Sequence, residues 1–154
     1  MNVVLVEPEI PPNTGNVARL CVATGAMLHL VGPLGFRLDD RELRRAGMDY
    51  WEHVTWKYWD SFDELRTAAR REPRPPNFYF VETTATRPYT QPRYQWGDYL
   101  VFGRETVGLP KDLLAKNADS IISIPMFNPH ARSINLATAV AIVLYEAVRQ
   151  AKGF

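Results

Sequence analysis

A chain of 154 residues, 46% hydrophobic and 23% charged, can bury one substantial core, and nothing in its composition signals disorder. Its net charge of +1 excludes the strongly basic signature of many nucleic-acid binders, so any RNA contact must come from a local patch that dimerisation doubles. The single cysteine, Cys21, cannot close an internal disulfide and the three histidines are scattered, which argues against redox and metal chemistry.

In chain order, residues 3–6 read as a short apolar strand. Residues 1–6 are too short for a signal-peptide core, and no apolar run approaches the roughly 18 residues of a membrane span, so a cytoplasmic location is expected. The prolines and glycine of 7–16 predict a loop that opens a helix from about Asn16 to Thr24, with Val17, Leu20 and Cys21 inward and Gly25 left-handed after its end. Residues 27–31 form a second strand, 39–46 a short basic helix stopped by Gly47, and 54–58 a third strand. The next helix begins at Ser61, whose hydroxyl and Glu64 make a capping box, and ends before Pro73. Residues 78–81, 99–102 and 120–124 supply three more strands, with a short helix from Pro110 to about Ala115 between the last two.

This alternation predicts an α/β fold in one domain over residues 1–154: a parallel sheet with helices on both faces, and ligands at the carboxyl ends of its strands. Three loops compete for such a site, 82–88, 103–109 and 126–133. Gly103 and Gly108 suit close approach of backbone to a ligand, although a glycine after a strand is more often just a turn. The chain has no Gly-x-Gly-x-x-Gly and no Walker lysine, which argues against a dinucleotide or ATP site. Residues 134–148 place apolar side chains on every helical face, so this helix is expected to be buried all round. One domain cannot cover all of it, which predicts a homodimer through the C-terminal helix. Ser133 stands where an N-cap would satisfy the first free amides, a helix start that can also hold a carboxylate or phosphate.

Three ordered stretches carry a family resemblance: Val4-Leu-Val-Glu-Pro-Glu-Ile-Pro-Pro-Asn-Thr-Gly-Asn-Val-Ala-Arg-Leu-Cys21, Phe102-Gly-Arg-Glu with Gly-Leu-Pro110, and Ile124-Pro-Met with Arg-Ser-Ile-Asn-Leu136. Together they resemble the SPOUT superfamily of knotted methyltransferases, most closely the TrmL-type enzymes that methylate the ribose 2′-hydroxyl of the tRNA wobble nucleotide. The resemblance spans nearly the whole chain. It implies a C-terminal deep trefoil knot that binds S-adenosyl-L-methionine, a homodimer as the active unit, and the anticodon stem-loop of tRNA as partner, with cytidine or uridine 34 as the target. It places cofactor contacts at Glu82, Thr83, Gly103, Ile124, Met126 and Ser133, much of them through backbone, and predicts that a branched side chain at Gly103 would occupy ligand space. The chain departs from the family pattern at Glu82, where an apolar residue is commoner, at Ala85, often a lysine, and in a longer loop at 127–132.

In-line methyl transfer requires the ribose hydroxyl to be held against the methyl group and to lose its proton, and needs no metal. The resemblance puts Arg19 at the activating position. Because a guanidinium stays protonated, its expected role is electrostatic: holding a phosphate and stabilising negative charge that develops on oxygen. Asn135 is the second catalytic candidate, orienting the nucleotide together with Ser133. Tyr50, Trp51, Trp56, Tyr58 and Trp59 are read as packing residues rather than base-stacking ones. Arg41, Arg44 and Arg45 are read as a solvated helix face that can meet RNA phosphates in a dimer. Three alternatives stand beside this reading: a ribosomal-RNA ribose target, a non-catalytic knotted RNA-binding module, and a small-molecule binder of flavodoxin type.

Overall fold

Strands that are apolar without alternation belong in a sheet covered on both faces. The computed structural model, which describes residues 1–38 and 48–154, has such a sheet. Among the described residues, β1 (Asn2–Val6), β2 (Met27–Val31), β3 (Trp56–Trp59), β4 (Phe78–Val81), β5 (Tyr99–Phe102) and β6 (Ile121–Ile122) are all parallel, in the order β3-β2-β1-β5-β4-β6. The α-helices of the described residues are α1 (Pro11–Thr24), α2 (Phe62–Ala69), α3 (Lys111–Ala115) and α4 (Leu136–Lys152). In the central strand, Val3 stands between Leu28 and Leu100, and Val4 between His29 and Val101. Successive side chains point to opposite faces. Val3, Leu5, Leu28, Leu100 and Phe102 therefore join one core with α1 and α4, while Val4, Val6, Val31, Phe80 and Val101 join another with α2 and the edge of α3.

The strands at 27–31, 78–81 and 99–102 lie where the sequence puts them. α1 starts earlier than expected, at Pro11, because two prolines occupy a first turn that needs no N–H and suits their fixed φ. Gly25 ends it in the left-handed conformation, at φ 73°. β3 starts later, since Val54 N–H still bonds Trp51 C=O in a 3-10 turn (Met48–His53). Ser61 caps α2 by accepting from Glu64 N–H, while the Glu64 carboxylate reaches Asp60 N–H, not that of Ser61. β6 is short because Ser123 pairs instead with the 87–89 segment. The basic helix expected at 39–46, with Arg41, Arg44 and Arg45, lies outside the described residues.

The last helix corrects one expectation. Its N-cap is Asn135, not Ser133: the Asn135 amide oxygen accepts from Ala137 and Thr138 N–H, and Ser133 lies exposed two residues upstream. As expected of a single domain, its own chain does not bury α4 all round. Ala137, Val140, Val143, Leu144, Ala147 and Val148 face the core, while Thr138, Tyr145 and Arg149 share an exposed side with half-buried Ala141 and Ile142. Polar residues on one side break the apolar cylinder.

Strand order reverses between β1 and β5, so their carboxyl ends flank a switch point, the usual place for a ligand in such sheets. After β6, at the edge of the sheet, the chain returns to pack α4 on α1 and β5, a path consistent with the expected C-terminal knot.

Candidate active site

At the switch point, α1 begins with a problem that the loop after β5 solves. Its N-cap, Ile10, has no side chain able to cap it, and Pro11 and Pro12 follow. The positive end of the helix is served instead by Glu105, whose carboxylate accepts from Glu9 N–H at 2.9 Å, Ile10 N–H at 3.1 Å and the Asn13 side-chain amide at 3.3 Å. Glu9 reciprocates, accepting from Thr106 N–H at 3.2 Å and from the Thr106 hydroxyl at 2.8 Å. Glu7, a non-glycine residue at φ 52°, turns the chain out of β1 with its carboxylate paired to Arg104. Such a backbone is strained, and the ion pair and a bond from Glu7 N–H to Val31 C=O hold it there.

The lock extends to the C-terminal helix. The Asn135 side-chain amide donates to Asn13 Oδ1 at 2.9 Å while its oxygen caps α4. A single polar chain, Glu105–Asn13–Asn135, thus ties the loop after β5 to the starts of both α1 and α4.

On the other side, Glu82 follows β4 and turns its carboxylate to backbone: Oε1 accepts from Leu109 N–H at 2.6 Å and Oε2 from Thr83 N–H at 3.3 Å. Gly108, at φ 71°, makes room for this, since a β-carbon there would stand 2.4 Å from Glu82 Oε1. Gly103 is packed the same way. A β-carbon on it would fall 2.2 Å from Gly108 C and Leu109 N, so the space beside Gly103 is filled by the loop's own backbone and not by a ligand, contrary to the expectation.

Between these loops lies a cavity of about 620 Å³, a size usual for small-molecule sites. Glu82, Thr83, Gly103, Ile124, Met126 and Ser133 all line it, and so does Asn135. Val81, Phe102 and Leu136 add apolar wall, and Arg104, Glu105 and Arg132 add charge. A site with an apolar floor, exposed loop backbone and charged groups of both signs suits a ligand that is part aromatic ring and part charged chain, as S-adenosyl-L-methionine is.

Arg19 is not on this wall. It lies on the solvent stripe of α1 with Pro12, Asn16 and Ala23, its guanidinium 4.7 Å from the centre of the Tyr50 ring. Two residues that bind the site together, Asn13 and Glu105, were passed over in the sequence. Their signal was present, Asn13 in Asn-Thr-Gly-Asn and Glu105 two residues after Gly103, but the pairing joins positions far apart in the chain.

Buried titratable groups elsewhere are structural. His29 accepts from Trp59 Nε1 at Nδ1 and pairs through Nε2 with Asn2 Oδ1, each at 3.0 Å. Burial, with Lys57 nearby, pushes its pKa down to about 4, so it is neutral. Burial pushes the Cys21 thiol up to about 12, which removes it as a nucleophile. Among the described residues no cluster of three or more His, Cys, Asp or Glu could hold a metal, and no helix is long and apolar enough to cross a membrane.

The architecture and its motifs recur in known proteins. The tRNA (cytidine(34)-2'-O)-methyltransferase of Saccharophagus degradans is 46% identical over 153 residues, covering 97% of this chain and 94% of that one. A solved structure described as giving insights into the 2-OH methylation of C/U34 on tRNA superposes with a TM-score of 0.91 at 44% identity, over 99% of this chain and 97% of that one. The SpoU methyltransferase AviRb from Streptomyces viridochromogenes, solved in complex with the cofactor AdoMet, superposes with a TM-score of 0.86 at 27% identity, over 97% of this chain and 60% of that one. Residues 1–145, which include every loop of the cavity and most of α4, match the SpoU rRNA Methylase family, and the chain belongs to that family.

Proposed function

We propose that this protein transfers the methyl group of S-adenosyl-L-methionine to the ribose 2′-hydroxyl of the wobble nucleotide of tRNA, cytidine or uridine 34, and does so as a cytoplasmic homodimer. The observation that carries the reading is the convergence of Glu82, Thr83, Gly103, Ile124, Met126 and Ser133 on one cavity at the switch point. It is supported by a relative of 46% identity that bears the name of this activity.

The bound cofactor supplies a methyl group on a sulfonium, ready for attack by a hydroxyl oxygen. The protein supplies placement. Backbone of the 103–109 and 124–126 segments holds the cofactor, and the Glu105–Asn13–Asn135 chain fixes the first of these segments to the helices. Asn135 has its amide committed to the α4 cap and to Asn13, so it acts by holding the Ser133 segment in place beside the nucleotide. Arg19 offers a permanent positive charge to a phosphate and to the oxygen that becomes negative as its proton passes to solvent water, with S-adenosylhomocysteine as the leaving group. Arg19 stands outside the cavity of its own subunit, and in this reading the second copy of the homodimer brings it there. The exposed side of α4, with Tyr145, Thr138 and half-buried Ala141 and Ile142, is the surface for that contact.

The test combines binding and transfer. Calorimetry with S-adenosylhomocysteine should show binding to the wild type and equally to Arg19→Ala, while radiolabelled methyl transfer to tRNA should be lost in the variant alone. Absence of binding to the wild type removes the cofactor reading, and transfer to ribosomal RNA but not tRNA would move the substrate to the alternative.

A further inference from the structure

We propose that Tyr50 is a positioning residue for Arg19, its ring serving as a shelf that orients the guanidinium toward the nucleotide. This rests on the reading that Arg19 acts in the transfer.

An arginine on the solvent stripe of a helix samples many rotamers, and a charge that must meet one oxygen gains from being held beforehand. Among the described residues, the contact that restrains Arg19 is the Tyr50 ring, 4.7 Å from the guanidinium carbon. Tyr50 is itself 40% exposed, so its ring face is not consumed by the core. The 3-10 turn that carries it is nevertheless fixed: its neighbour Trp51 packs on Trp56 with ring centres 5.0 Å apart and against the core, and Val54 N–H bonds Trp51 C=O at 3.3 Å.

The chemistry of the partner matters as much as its place. A carboxylate would hold Arg19 but also neutralise the charge that the reaction requires. An aromatic face attracts the cation through its quadrupole and leaves the N–H donors free at the edge of the guanidinium for a phosphate or an alkoxide. No hydrogen bond of the Tyr50 hydroxyl is needed for this role, which makes the ring, not the phenol, the functional part.

The experiment uses the full chain, with Tyr50→Leu, Tyr50→Phe and Arg19→Ala measured together for kcat and KM of transfer to tRNA, S-adenosylhomocysteine affinity and thermal unfolding. Tyr50→Leu should lower kcat by about two- to thirtyfold, the span of a cation–π contact from exposed to desolvated, with cofactor affinity and melting temperature unchanged. Tyr50→Phe should restore the rate. If Arg19→Ala is inactive and Tyr50→Leu turns over like the wild type, the shelf is refuted while the role of Arg19 stands. A loss in Tyr50→Phe equal to that in Tyr50→Leu, or a loss matched by a fall in cofactor affinity or melting temperature, also overturns it. If Arg19→Ala is fully active, the reading beneath the proposal fails, and the proposal with it.

Discussion

Replacing Glu105 by alanine removes the acceptor for two backbone N–H groups and one side-chain amide at the start of α1. A hydrogen bond to a charged group contributes about 1.5–3 kcal/mol when fully buried, and the carboxylate also faces the positive end of a helix. Glu105 is only half-buried, and water can reach part of what it leaves, so the whole loss should be about 2–3 kcal/mol rather than the sum of three bonds. For a chain of this size that lowers the melting temperature by about 4–12 °C. Glu105→Gln keeps one acceptor oxygen and loses the charge, so it should fall between. Because the 103–109 loop is a wall of the cavity, the alanine variant should also bind S-adenosylhomocysteine more weakly. Thermal unfolding and calorimetry on the same samples decide it. A melting temperature within about 1 °C of the wild type would refute the claim that Glu105 ties the loop to the helix.

Gly103→Ala should weaken cofactor binding by about tenfold or more, because a β-carbon 2.2 Å from the backbone of Gly108 and Leu109 forces the loop to move; unchanged affinity in calorimetry would contradict the packing. His29 should remain neutral in the folded protein down to about pH 4, followed by its ring resonances in NMR. Its folded pKa lies below the ordinary 6.5, so the unfolded chain takes the proton first, and the contribution of His29 to stability should fall by up to about 3 kcal/mol as pH drops from 6.5 to 4 and change no further below that. A ring that titrates near 6.5 in the native state would contradict its burial. Ala141→Asp places a charge on the half-buried side of α4 that the chain's own core does not cover, and should give a monomer of low activity in sedimentation and transfer assays; a stable, active dimer would show that the interface lies elsewhere.

Much of the fold was legible because it depends on local composition. The Val3–Val6 and Tyr99–Phe102 runs could only be strands covered on both sides, and Ser61 with Glu64 marked a helix start through a bond between near neighbours. Legibility failed where the partner lies far along the chain. The start of α1 looked like loop because nothing within Ile10–Asn13 caps it in the ordinary way, and its cap comes from Glu105. Ser133 and Asn135 are both good caps by residue type, and only the path of the returning loop selects Asn135, by bringing it against Asn13. The need for glycine at 103 is legible in the sequence, but the space beside it, expected to hold ligand, is filled by the backbone of Gly108 and Leu109, which no local pattern reveals. The cavity residues were found through the family resemblance, whereas the exposed setting of Arg19 beside Tyr50 followed from neither pattern nor resemblance.

Methyl transfer to the wobble ribose is read most directly by mass spectrometry of nuclease fragments of tRNA incubated with the purified protein and S-adenosyl-L-methionine. The expected result is one added methyl group on the ribose of nucleotide 34, resistant to base release and absent with Arg19→Ala. A methyl group on a base, at another position, or only on ribosomal RNA offered in the same assay would contradict it.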